Sequence, residues 1–396
     1  MVNISTELKE VMLKLQGYRT LRAVKRAKLY RQHASAFTAL SSLRLKWHHP
    51  LTSSVSPQKS LKMAAWNIDR GTHFDAIVNT FQKNPDLHNA DILLLTELDI
   101  GMARSSNRNV PYELGKALGM NVFYGNAYLC FSKGTGAELK SNGENNLGLH
   151  GNAILSRYPL DDLHTIPLFN CKDKFRGVEK RLGSQQALLA RINTENGQLY
   201  VVCAHLDAHS SPKQRQHQMR MVLNALDARN LGNTPIILGG DWNTTTYNAK
   251  STFRLITSGL RHAFLTKPHI LAKVHYRYPY QRMEPLFTEL QTRSFNYLDF
   301  NEEGVGTLPY SMNDTSSNHK MRERLPQFCV EWTRKIAEAI GGNASIKVDW
   351  FAGRNCHALA GTAKVLPLVL WKGHKVSDHK PIVVEIGFKG AKNDRT

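Results

Sequence analysis

From Leu61 onward, short apolar runs alternate with longer stretches in which apolar residues recur every three or four positions. Lys62–Trp66, Asp91–Leu95, Ala153–Leu155, Ala187–Ile192, Leu199–Ala204, Pro235–Leu238, Val348–Phe351 and Pro381–Ile386 are short and mostly aliphatic or β-branched. That pattern predicts strands covered on one or both faces. Between them Phe74–Gln82, Pro111–Leu118 and Lys213–Ala228 have helical periodicity, and the last puts Met219, Val222, Leu223 and Leu226 on one face. Because the two patterns interleave, the chain reads as one α/β-type domain and not as separate modules.

Residues 1–60 have a different texture. Leu8, Val11, Leu15 and Tyr18 mark one face of a basic amphipathic helix, continuous or broken, running from about Thr6 to Leu43. His49-Pro50 and Ser53–Pro57 then read as a linker. The expected division is a basic helical extension over 1–60, a domain over 61–388 and a disordered polar tail over 389–396. Two stretches interrupt the domain. Lys133–Asn146, rich in Gly, Asn and Ser, reads as a flexible loop, and 262–345 as either a cover for the site or a packing insertion.

Composition narrows the class. At 396 residues and 41% hydrophobic, the chain can build a sizeable core. No apolar run reaches the roughly 18 residues of a membrane span, and no secretory leader is evident. The five cysteines are scattered, without a CxxC pair, so neither a disulfide framework nor a cysteine zinc site is expected. A monomer in a reducing, cytoplasmic setting is the simplest expectation. The outlier is a formal charge of +20, which attracts nucleic acid, anionic lipid or phosphorylated substrates. In residues 1–60, eleven Lys and Arg face only Glu7 and Glu10.

Polar residues recur where the predicted strands end. Asn67 and Asp69 follow the first strand, Glu97 the second, His205 the fifth, and Asp241 and Asn243 the sixth, after Gly239-Gly240. Asp349 lies within the seventh, and Asp378-His379 precede the last. Strand ends are where α/β sheets assemble sites from distant parts of the chain. Phosphate-ester cleavage needs a hard cation on oxygen ligands, a base for the attacking water, and donors for the crowded anionic transition state. Glu97 with Asn67 and Asp69 supplies the first, Asp241 the second, and Asn243, His205 and His379 the third. Asp349 suits the orienting carboxylate of His379.

In order, the segments Ala65–Asp69, Leu95–Glu97, Gly151–Arg157, Ala204–Leu206, Gly240–Asn243, Val348–Trp350 and Ser377–His379 resemble the motifs of the endonuclease/exonuclease/phosphatase superfamily. That superfamily includes deoxyribonuclease I, abasic-site endonucleases, neutral sphingomyelinases and inositol polyphosphate phosphatases. The resemblance spans Leu61 to about Gly387. It implies a four-layered fold of two packed mixed sheets flanked by helices, with Mg²⁺ or Mn²⁺ as cofactor. It implies metal binding at Asn67 and Glu97, with Asp378 helping to hold the metal or the hydrogen bonds around it. It further implies water activation at Asp241, transition-state support from Asn243 and His205, and an Asp349–His379 pair. Asp69 is similar to the abasic-site endonucleases, whereas His205 is similar to deoxyribonuclease I and the sphingomyelinases. Relatives with the Gly151–Arg157 motif often place an acid after a Tyr-Gly pair, but here Tyr124-Gly125 leads into Asn126-Ala127, which leaves Glu144 as the candidate support for His205.

Two rival readings remain. His205-Leu206-Asp207-Ala208-His209 also spells a zinc-type HxDxH cluster, which would leave Asn67, Glu97, Asp241 and Asn243 without a role. Alternatively the fold is a non-catalytic polyanion-binding module. Within the favoured class the expected substrate is a phosphodiester, nucleic acid ahead of a sphingomyelin-like headgroup or an inositol phosphate.

Overall fold

The computed structural model describes residues 4–49, 60–195, 197–246, 248, 277–281, 283–311 and 343–388. Two mixed sheets carry the architecture. The first runs in the order β1 (Arg44–Trp47), β4 (Asn121–Cys130), β5 (Leu149–Ser156), β3 (Ile92–Ile100), β2 (Ser60–Arg70), β18 (Ile382–Phe388) and β14 (Cys356–Ala358). Short strands β7 (Arg181–Gly183) and β15 (Lys364–Val365) pair with β4 and β18. The second runs β13 (Asp349–Arg354), β10 (Ile236–Asp241), β9 (Gly197–Ala204), β8 (Gln186–Thr194) and β6 (Leu160–Pro167). Two ribbons, β11 (Leu308–Ser311) with β12 (Asn343–Ile346) and β16 (Leu370–Trp371) with β17 (His374–Lys375), lie outside the sheets. All eight predicted strands are present.

The strands are apolar throughout because both faces of each sheet are covered. In β2, Met63 and Ala65 point into the core between the sheets, with Leu94, Leu188, Val201, Ile237 and Val384. Their neighbours Ala64 and Trp66 point outward, into a core covered by α5 (Phe74–Lys83) and α6 (Val110–Leu118). On the far side α7 (Pro212–Asp227) and α8 (Leu286–Thr292) cover the second sheet with Met219, Val222, Leu226, Phe287 and Leu290. The layers are therefore helix, sheet, sheet, helix, as the resemblance implies.

The N-terminal segment takes the broken form of the expected helix. It folds as α1 (Thr6–Leu15), α2 (Leu21–Arg26), α3 (Lys28–Gln32) and α4 (Ala34–Ser41), and then as β1 on the edge of the first sheet. The breaks have local causes. Thr20 caps α2 through its side chain, Ala27 is extended, and His33 sits outside helical geometry. Leu8, Val11, Leu15, Val24, Phe37 and Leu40 are buried in the same core as Trp66 and Tyr124.

Lys133–Asn146, expected to be flexible, is pinned. Thr135 and Glu138 form a capping box around a short 3₁₀ turn. Asn145 accepts from the Ala103 amide at 2.9 Å and donates to the Ser132 carbonyl at 3.1 Å. Of the remaining segments singled out in the sequence, the 50–59 linker, the 389–396 tail and most of 262–345 lie outside the described residues. Among the described residues no helix is long and apolar enough to cross a membrane.

Candidate active site

The cleft forms where both sheets break regular geometry. Pairing between β2 and β3 shifts register between Asn67 and Arg70, and pairing between β3 and β5 shifts between Leu95 and Leu98, which brackets Glu97. Asp69, Arg70, Glu97 and Asn243 all have left-handed φ, at 44°, 69°, 58° and 50°. Non-glycine residues in that region cost free energy and persist where surrounding contacts over-determine them, commonly at functional sites. Gly239 and Gly240 meet a related need. A Cβ on Gly239 would lie 2.6 Å from the Phe351 ring and 2.8 Å from Leu94, and Gly240 has a φ of +125°. This close approach lets Asp241 sit at the end of β10, directly opposite Asp349 on β13.

Four groups converge on the Asp241 carboxylate. Asn67 donates to its Oδ2 at 3.2 Å, His205 Nε2 lies 3.4 Å from the same oxygen, and His379 Nε2 lies 3.8 Å from it. The Asn243 amide donates to Oδ1 at 2.9 Å. His379 is in turn held by Asp349, Nδ1 to Oδ2 at 2.8 Å, and the Thr307 hydroxyl oxygen accepts from the backbone amides of Val348 and Asp349, each at 3.1 Å. Ser377 ties the last loop to the first strand by donating to the Asn67 carbonyl at 2.6 Å, and Trp66 donates to the His379 carbonyl at 2.9 Å. Asp378, half-buried, adds its charge to the field at His379.

Burial pushes the Asp241 carboxyl above the usual carboxylate range, aided by the Asp349 charge, although His379 and His205 pull the other way. Burial disfavours the His379 imidazolium, but Asp349 and Asp241 outweigh it and hold the ring well above 6.5. The His379 ring thus has a carboxylate on each side, Asp349 at Nδ1 and Asp241 at Nε2.

Glu97 has different surroundings. Asn67 Nδ2 bridges it to Asp241, donating to Glu97 Oε1 at 3.2 Å, while Asn67 Oδ1 accepts the Asp69 amide at 3.1 Å. The amide of Asn67 thus shows Glu97 its nitrogen, whereas a metal would take the oxygen. Arg70 sits between three acids: it contacts Asp69 closely, Glu97 at 3.6 Å and Glu138 at 3.0 Å. Burial works against ionised Glu97, yet Arg70, His205 and His150 hold its carboxyl well below the usual range. Behind it Arg104, almost fully buried, clamps Asp99 at 2.7 and 3.0 Å and Glu179 at 2.9 Å, and His150 Nδ1 meets Asp99 at 2.8 Å.

The sequence reading did not single out Arg70, Asp99, Arg104, Glu138 or His150. The one local signal near Arg70 was Gly71, which marks a turn at the end of the first strand. Glu144 is exposed and pairs with Lys133 at 3.3 Å, whereas the carboxylate beside His205 is Asp241, 3.4 Å from its Nε2. The HxDxH cluster does not converge either. Asp207 is fully buried and committed to Lys174 Nζ at 2.5 Å, the Cys171 amide and the His209 amide. Asn243 donates one amide hydrogen to the Leu206 carbonyl at 2.9 Å, which ties the His205 loop to the Asp241 strand.

Glu97, kept ionised, and Asp69 carry the carboxylate oxygens that a hard dication would take, but both face the Arg70 guanidinium. Among the described residues, Asp241, Asp349 and His379 also bring ligand atoms within 4.8 Å of one another, a group that could hold a metal.

A family model described as the Endonuclease/Exonuclease/phosphatase family matches residues 64–379. Its members are hydrolases acting on phosphoester bonds and are generally dependent on divalent metal. No curated protein matches the sequence. Among solved structures the chain is similar to an endonuclease/exonuclease/phosphatase from Beutenbergia cavernae, at 16% identity over 84% of this chain and 73% of that one, with a TM-score of 0.48. It is similar to the human Nocturnin catalytic domain with bound sulfate, at 15% identity over 88% and 97% and a TM-score of 0.48. It is also similar to D. rerio TDP2 complexed with a single-strand DNA product, at 12% identity over 83% and 100% and a TM-score of 0.47. The match from residue 64 to 379, on a fold of two mixed sheets flanked by helices, means that the chain belongs to the endonuclease/exonuclease/phosphatase family.

Proposed function

We propose that this protein is a divalent-metal-dependent phosphodiesterase that hydrolyses a nucleic-acid-type diester with water activated at Asp241. The observation that carries the reading is the convergence of Asn67, His205 and His379 on one buried carboxylate oxygen of Asp241. A carboxylate whose proton affinity is raised by burial is a better acceptor for the proton of an attacking water. Asn67 and the Asn243 amide fix its two oxygens, so the accepting lone pair has one direction. His205 and His379 present Nε2 to the same place, where they can donate to the phosphoryl oxygens as charge builds. Asp349 keeps the His379 ring in the tautomer and charge state that can donate. The second amide hydrogen of Asn243 is left for a phosphoryl oxygen.

Glu97, with Asp69 and Asp378, would hold Mg²⁺ or Mn²⁺, and Asn67 would join them by presenting its oxygen. Bound there, the ion supplies Lewis-acid neutralisation of phosphoryl charge. We further propose a division into a basic helical extension and linker over 1–60, whose described part packs on and pairs with the first sheet, and a catalytic domain over 61–388. The charge of +20 favours a polyanionic substrate over a small phosphorylated metabolite. A panel of plasmid DNA, abasic duplex, RNA, sphingomyelin and inositol phosphates, with Mg²⁺ or Mn²⁺, tests it. Cleavage of a nucleic acid ahead of the others is the expected result; preferential release of a lipid headgroup or of inorganic phosphate would overturn the substrate assignment.

A further inference from the structure

The four N-terminal helices are built with two unlike sides. Their apolar side is spent inside the fold, where Leu8, Val11, Leu15, Val24, Phe37 and Leu40 pack against the first sheet. Their other side is cationic. Arg19, Arg22, Lys25, Arg26, Lys28 and Arg31 are all exposed, and none forms an ion pair among the described residues. In residues 4–47 ten Lys and Arg face only Glu7 and Glu10. A solvated face usually mixes signs, because like charges held together repel; a one-sign face is stabilised by a polyanion.

This face also has shape. Arg22 and Arg26, with Tyr18, Thr20, Ala23 and Ala27, line an open cleft of about 440 Å³. Tyr18 is 39% exposed, which offers a ring face beside two guanidinium groups. Aromatic rings beside cations make up the usual surface for single-stranded nucleic acid, one element for bases and the other for phosphates.

The cleft is joined to the active site through a short series of contacts. Asp207, two residues past His205, holds Lys174, and the adjacent Asp173 accepts the Leu21 amide at the start of α2 at 3.0 Å. Arg176, on the same short turn as Lys174, has a side chain 72% exposed. Lys174 is itself buried against Asp207, so the exposed cation between the His205 loop and α2 is Arg176, 3.9 Å from Asp173.

We propose that the exposed face of α2 and α3 is a docking surface for single-stranded nucleic acid, holding the strand beyond the scissile phosphate. The inference rests on the proposed nucleic-acid substrate. A membrane surface would need an apolar face turned outward. Here that face is buried, and Leu13 and Tyr18 are the large hydrophobics exposed on this segment.

Removing the segment would open the core, so the test uses surface substitutions in the full chain. Binding of a fluorescent single-stranded oligonucleotide is measured in EDTA across a range of salt, for the wild type and for the triple variant Arg22→Gln, Lys25→Gln, Arg26→Gln. Turnover of bis-p-nitrophenyl phosphate with Mg²⁺ is measured alongside as a check on the fold and the site. Three lost phosphate contacts should flatten the log–log salt slope by about 2 and weaken binding about tenfold or more at low salt, with diester turnover unchanged. An unchanged slope would overturn the proposal. So would a wild-type protein that does not bind the oligonucleotide, or one whose triple variant loses binding only to phosphatidylserine vesicles. If the wild type cleaves no nucleic acid but binds it with the slope carried by these three residues, the docking surface stands and the substrate reading fails.

Discussion

The two sides of the cleft solve the same electrostatic problem differently. Around Glu97 the acids are matched mainly by guanidinium groups: Arg70 lies against Asp69, Glu97 and Glu138, and Arg104 against Asp99 and Glu179, with the His150 imidazole a lesser partner of Asp99. Around Asp241 two carboxylates face imidazoles and a neutral amide. A guanidinium does not lose its proton in any working pH range, whereas an imidazole can. The Glu97 side is thus fixed in charge, with Glu97, Asp99 and Glu179 all held below the usual carboxylate range against the cost of burial. The Asp241 side is poised, with both Asp241 and His379 raised. A fixed acid suits a metal; a poised acid suits a proton.

The largest expected effect is on the fixed side and on stability. Arg104→Leu leaves Asp99 buried with only the His150 imidazole against it and Glu179 held by Arg181 alone, which should cost about 3–5 kcal/mol of unfolding free energy in urea denaturation. A loss below about 1 kcal/mol would mean that the network is wet and adjustable, not fixed.

Next comes the poised side. Asp241→Asn keeps the shape but removes the proton acceptor, and turnover should fall on the order of 10²-fold or more, with substrate affinity changing much less. Near-native turnover would mean that water is activated elsewhere.

Smaller effects separate the pair. If Asp349 works through His379, the losses from Asp349→Ala and His379→Ala should not add in the double variant. Strict additivity would show independent roles. The pH profile gives a finer readout. His379 is raised mainly by Asp349, so its charged form persists through neutral pH and is lost as pH rises through the raised value. Asp349→Asn removes that cause, and the alkaline limb of kcat/KM should move to lower pH. A limb that stays in place would assign it to another group.

The fold was legible where strands are apolar on both faces, since eight runs stood out against polar helices. Asn121–Cys130 was hidden because Gly125-Asn126 looks like a turn. In the structure Gly125 is where the sheets touch, a Cβ there falling 2.3 Å from Leu188, and Asn126 spends its polar atoms on the Leu40 carbonyl and the His150 amide. The chemistry at strand ends could be read in the same way, because Asn67, Glu97, Asp241 and His379 are polar residues interrupting apolar runs. The guanidinium network could not, because Glu138 lies in a Gly- and Ser-rich loop and reaches Arg70 and Arg104 only through the tertiary fold. Likewise the helical period of Leu8, Val11 and Leu15 showed a buried face without showing what would bury it, whereas Tyr18, expected on the same face, lies past the end of α1 and is exposed.

The central claim is metal-assisted phosphodiester hydrolysis with a proton acceptor at Asp241. The most direct measurement is the rate of bis-p-nitrophenyl phosphate hydrolysis by the full chain and by Asp241→Asn, in EDTA and after addition of excess Mg²⁺ or Mn²⁺. The account predicts no activity in EDTA, recovery of the wild type with either ion, and recovery of Asp241→Asn to about a hundredth of that rate or less. Full activity in excess chelator, or equal recovery of the two proteins, would contradict it.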